Sequence, residues 1–151
     1  MSGLAEQLQA DLTEAMKARD ELRLSVLRMA LTAMKSEQVA GGAARELTED
    51  DVLKVLVREA KKRRESAQAY DDAARPELAD RERAEGEVLA AYLPAAMPDE
   101  ELAELVRTAV TEAGAATPAQ LGQVMKAVTP RVAGRADGAR VAAEVRRQLA
   151  G

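Results

Sequence analysis

Apolar residues recur at intervals of three and four along nearly the whole chain, and no segment alternates strictly as a half-buried strand would. That period restricts the fold to helices packed on helices. Leu4, Leu8, Leu12 and Met16 lie one turn apart on a first helix. Asp20 is placed to cap a second, whose stripe is Leu24, Leu27, Leu31 and Met34. Gly41-Gly42 ends it, because glycine tolerates the left-handed conformation past a helix C-terminus. Thr48 opens a third helix, and Glu49, Asp50 and Asp51 suit the positive end of its dipole. Its stripe of Val52, Val55 and Leu56 fades after Ala60. Residues 58–72 are polar nearly all round, which predicts an arm reaching past the core. Pro76 interrupts that helix. Leu78, Val88, Leu89, Tyr92 and Leu93 form a fourth, which stops at Pro94.

Two prolines in five residues, Pro94 and Pro98, mark the domain boundary and predict a short, stiff linker. Beyond it Leu102, Leu105, Val106, Ala109 and Val110 mark a fifth helix ending at Gly114. Thr117-Pro118-Ala119-Gln120 is a strong start signal, with a capping threonine, proline in first position and glutamine in third. Leu121, Val124, Met125 and Val128 follow, and Pro130 and Gly134 bring that sixth helix to a close. Asp137 caps a seventh, carrying Val141, Val145 and Leu149. The expectation is an all-α protein: an N-terminal bundle of about four helices in residues 1–93, then a small three-helix domain in residues 94–151.

The core of such a protein has to be aliphatic. Among 151 residues there is no Phe, Trp, Cys or His, and Tyr70 and Tyr92 are the only aromatics. Without cysteine there is no disulfide framework and no thiolate chemistry. Without histidine the commonest general base and metal ligand is missing. Ser25, Ser36 and Ser66 have no imidazole to activate them. Adjacent acids such as Asp71-Asp72 and Glu100-Glu101 point in different directions on a helix. The reading is therefore no catalytic residue, no metal site and no cofactor. No signal-peptide pattern and no apolar run of membrane-spanning length occurs, so the cytoplasm is the default location.

The net charge of −4 conceals a split: −4 over residues 1–93, −4 over 94–121 and +4 over 122–151. A basic tail is a local footprint for an anionic partner. Lys126, Arg131 and Arg135 surround the junction Gly134–Gly138 between the last two helices. A helix N-terminus there can receive a phosphate; equally, Gly134 and Asp137 can be plain caps beside surface arginines. Gly122 inside a helix costs roughly 1 kcal/mol against alanine, which predicts close packing against another backbone or a ligand. A second basic patch is Lys61-Lys62-Arg63-Arg64. It reads either as a contact for RNA or an acidic partner, or as a solvated face held by Glu59–Arg63 and Lys61–Glu65 pairs.

Several fragments stand in a set order along the chain: Leu24–Met29 (Leu-Ser-Val-Leu-Arg-Met), Arg58–Arg63 before Tyr70, Glu87-Val88-Leu89, Tyr92-Leu93-Pro94, Glu101-Leu102, Gly122–Lys126 and Gly134–Gly138. In that order and spacing they resemble the GatB/YqeY family, in its free-standing YqeY-like type, over essentially the whole chain. Pro98 stands where the family more often has a Ser or Thr cap. The resemblance implies a helical N-terminal domain and a tail like the C-terminal domain of GatB, a subunit of the tRNA-dependent, glutamine-using amidotransferase, a carbon-nitrogen ligase. It implies tRNA as partner, or a synthetase or amidotransferase subunit, with Lys126, Arg131, Gly134, Arg135 and Gly138 as contact candidates. The chain lacks GatB's catalytic cradle and the partner subunit's amidase apparatus, so the resemblance does not carry the reaction with it. A helical protein-interaction module with no nucleic-acid role is the alternative, and nothing predicts a membrane partner.

Overall fold

The computed structural model describes residues 3–150. Over them the chain is all-α, with seven helices and no strand: α1 Gly3–Ala18, α2 Glu21–Val39, α3 Glu49–Asp72, α4 Pro76–Ala90, α5 Asp99–Ala113, α6 Leu121–Val132 and α7 Gly138–Ala150. One 3-10 turn, Pro118–Gln120, leads into α6. The chain divides into two compact units, residues 1–93 and 94–151.

The caps are local chemistry. The Asp20 carboxylate accepts from the Arg23 amide at 3.1 Å. Thr48 and Asp51 form a reciprocal capping box: the Asp51 amide donates to the Thr48 hydroxyl at 3.1 Å, and the Thr48 amide donates to the Asp51 carboxylate at 2.9 Å. Arg45 adds a 2.8 Å contact to that carboxylate. These hydrogen bonds favour the charged form, backbone Thr48 foremost, and hold the Asp51 carboxyl down at about 2.

In the first unit Leu8, Val26, Leu27, Val52, Val55 and Leu56 form a dry centre. Leu4, Leu8 and Leu12 of the predicted α1 stripe face this core, and only Met16 departs from it. Ala15 is buried and Met16 is 53% exposed, since the last turn of α1 presents its small residue to the core.

The predicted free arm is corrected. α4 returns along α3, and Ala60, Ala67 and Ala79 are buried between them. Small side chains let the two helices approach, which leaves little apolar signal in the sequence. Polar residues cover polar residues above that seam. Arg63 reaches Glu85 at 3.1 Å, Glu59 at 3.6 Å and Glu82 at 3.6 Å. At one edge the Tyr92 hydroxyl donates to Asp11 at 2.5 Å. Burial first, then that acceptor, pushes the phenol above its usual range.

The second unit has its own core of Leu102, Val106, Val124, Val128, Val141 and Val145. Residues 94–98 are not a free linker. Met97 is buried in this core, and its amide donates to the Arg135 carbonyl at 2.8 Å. Pro98 begins α5 with no side-chain cap. Gly114, at φ 63°, ends α5 in the left-handed conformation. The Thr117–Gln120 capping box forms, but around the 3-10 turn rather than on α6 itself. Pro130 does not stop α6, which runs on to Val132. The ring forfeits one bond of the last turn. The Thr129 hydroxyl donates to the Met125 carbonyl at 2.8 Å one residue earlier.

Candidate nucleic-acid interface

The turn between α6 and α7 reverses the chain through two successive left-handed residues, Ala133 at φ 51° and Gly134 at φ 79°. The Asp137 carboxylate then accepts from the Arg140 amide at 2.8 Å and starts α7. The backbone thus behaves as the cap residues predict. The side chains around the turn do something the sequence did not announce: they face α5. Arg131 pairs with Glu112 at 2.6 Å, Arg140 with Asp99 at 2.7 Å, and Arg135 with Glu101 at 2.6 Å.

The acidic segment 94–121 and the basic tail therefore neutralise each other inside one unit. The signal was present in the sequence as two adjacent segments of equal and opposite charge.

The three pairs are not equivalent. Arg135 is a fork: Nη1 and Nη2 each donate to one Glu101 oxygen, at 2.6 and 3.0 Å, and Nε donates to the Ala95 carbonyl at 3.2 Å. Bidentate geometry of this kind is strong and directional. It holds the Glu101 carboxyl below its usual range and raises the Arg135 guanidinium further. Arg131 makes one exposed contact, and exposed single pairs contribute about 0–1 kcal/mol. A phosphate can replace Glu112 at Arg131 far more readily than it can replace Glu101 at Arg135.

Lys126 is exposed and makes no ion pair among the described residues. Gly122 lies one turn before it on α6, and both are exposed. A Cβ built on Gly122 or on Gly138 meets nothing within 4 Å. This corrects the expectation that Gly122 packs against another backbone of the same chain.

The second patch is divided. Arg63 turns inward to its three glutamates, and its side chain is 16% exposed. Lys62 pairs with Glu59 at 3.3 Å and Lys61 with Glu65 at 3.9 Å. Arg64 is exposed. The four basic residues do not form one surface.

Comparison with known proteins gives a family and a relative. The family model described as "Yqey-like protein" matches residues 5–149. The chain is similar to the protein named "Altered inheritance of mitochondria protein 41, mitochondrial" of Clavispora lusitaniae (strain ATCC 42720), at 35% identity over 104 residues. That match covers 67% of this chain and 59% of the relative, so the chain spans about three fifths of the relative's length. No helix among the described residues is long and apolar enough to cross a membrane. With the family model covering all seven helices but for their outermost residues, the chain belongs to the Yqey-like protein family.

Proposed function

We propose that this protein is a non-catalytic accessory factor that binds tRNA, or the machinery that charges it, through its C-terminal unit. The observation that carries the reading is the open space at Gly122 with the unpaired Lys126 one turn along α6. Gly122 and Gly138 are free of any neighbour that would forbid a side chain, and Lys126 lies exposed between them in sequence. Glycine at such positions permits a phosphate backbone to approach the helix N-termini closely. Lys126 supplies the free charge, Arg131 exchanges Glu112 for phosphate, and Arg135 with Gly134 holds the turn in shape. Two tyrosines in the whole chain leave little to stack bases on, so the target is structured RNA read through its backbone. The family link to a glutamine-dependent amidotransferase enters as a link of partner, not of reaction. The location that follows is a compartment that charges tRNA, the cytoplasm by default.

The test is tRNA affinity at two salt concentrations. With two phosphate contacts, at Lys126 and Arg131, and a coefficient of about 0.9 per contact as for duplex DNA, a fourfold rise in salt lowers affinity roughly 12-fold. Lys126→Glu should lower affinity and remove about one unit of salt slope. Binding that responds to neither change overturns the reading.

The internal neutralisation of Arg131, Arg135 and Arg140 favours a second reading, a protein-interaction module with no nucleic-acid role. A pull-down that survives nuclease and high salt distinguishes it.

A further inference from the structure

An open groove of about 590 Å³ lies between α2 and α3 of the first unit. Met29, Ala33 and Val55 make the apolar part of its lining, with the hydroxyls of Thr32 and Ser36 beside them. Its cations are Arg28 on α2, and Arg58 and Lys62 on α3, the last two paired with Glu37 and Glu59. The two acids that line it are already engaged. Glu37 accepts from Arg58 at 2.8 Å and from Arg45 at 3.4 Å, while Glu59 is buried against Lys62 and Arg63. Arg28 is exposed and has no ion pair among the described residues. The lining therefore carries a net positive charge on a unit whose sequence is net negative. Val39, one residue before the groove-lining Ala40, is 55% exposed, a large apolar side chain left uncovered at the end of α2.

We propose that this groove docks an amphipathic, acid-flanked helix of a partner protein. An apolar lining between two helices takes side chains at i, i+4 and i+7 of an incoming helix. The unbranched Met29 thioether adapts to whichever side chains arrive. The unpaired Arg28, which leaves the lining net positive, selects an acidic flank and repels a basic one. A nucleic-acid backbone would use Arg28 and leave the apolar lining wet. The groove is also open rather than enclosed, which suits an extended occupant better than a small molecule.

Methionine methyl NMR on the full chain tests this, because Met29 lines the groove while Met16 and Met125 lie outside its lining. The probes are a synthetic helical peptide with leucines at i, i+4 and i+7 flanked by glutamates, the same peptide flanked by lysines, and a tRNA. The acidic peptide should shift Met29 saturably and leave Met16 and Met125 in place. Arg28→Glu should weaken that binding about tenfold. Lys17→Glu, the same charge change on α1, should alter it less than about twofold. An unmoved Met29, equal binding of the lysine peptide, equal loss in both variants, or a tRNA that shifts Met29 in place of the peptide overturns the proposal. A tRNA response at Met125 alone reports on the C-terminal face, so the two readings fail separately.

Discussion

The guanidinium of Arg135 grips Glu101 through two parallel hydrogen bonds, and the main chain of Arg135 holds Met97. One residue of the α6–α7 turn thus fixes both the start of α5 and the segment 94–98. The pH consequence follows from the depressed Glu101 carboxyl. A carboxyl lowered in the folded state contributes stability that is present above its unfolded value of 4.5 and is lost as pH falls through the folded value. Glu101→Gln should remove that dependence. In urea unfolding below about pH 4.5, the wild type should lose stability more steeply than the variant. Parallel acid limbs in the two proteins would contradict the role given to Arg135.

Arg63 and Lys61 are neighbours in one basic run with opposite surroundings. Arg63→Ala leaves Glu85, whose side chain is 7% exposed, with Arg81 at 3.4 Å and Glu59 with Lys62 at 3.3 Å. Losing the shared cation while each acid keeps one exposed partner costs about 2 kcal/mol. Lys61→Ala removes an exposed 3.9 Å pair and should stay within about 0.5 kcal/mol of wild type. Denaturant midpoints of the two variants decide between an inward and an outward Arg63.

Thr48 closes a capping box at the start of the longest helix. Thr48→Ala should cost about 1 kcal/mol, whereas Thr48→Ser should cost only a few tenths because the accepting oxygen remains. The box also carries the Asp51 carboxyl at about 2. Its contribution is present above the unfolded value of 3.8 and is lost as pH falls toward about 2. Thr48→Ala keeps the backbone donor and Arg45, so Asp51→Asn is the variant that should remove the lowest part of the acid limb, which the Glu101 variant leaves alone.

Four of the helix starts were legible because each is written within a span of one to four residues: Asp20, Thr48 ahead of Glu49, Asp50 and Asp51, Thr117 with Gln120, and Asp137. Nothing comparable marks which side chains meet across the fold. The α3–α4 seam is built from alanines and ion pairs, so its helix reads as a polar arm until Glu82 and Glu85 are seen against Arg63. The α6 helix outlasts Pro130 because its last turn needs few bonds, and no local rule distinguishes that from termination. In the candidate interface, Gly134 takes the left-handed conformation and Asp137 caps α7 as their residue types imply. The pairing of Arg131, Arg135 and Arg140 with α5 is a tertiary fact that only the charge split foreshadowed.

Gly122 separates folding from binding in a single substitution. It is the second residue of α6, and a Cβ there meets nothing within 4 Å. Gly122→Ala should stabilise the protein by about 0.5 kcal/mol, because alanine restricts the unfolded chain and helix positions favour it. Were glycine retained for internal packing, the same change would destabilise. If a phosphate backbone approaches this edge, the added methyl holds it off, and tRNA affinity should fall although the fold becomes more stable. Thermal unfolding and tRNA titration on one preparation of Gly122→Ala measure both effects. A more stable variant with unchanged tRNA affinity would remove Gly122 from the interface and leave Lys126 to support it.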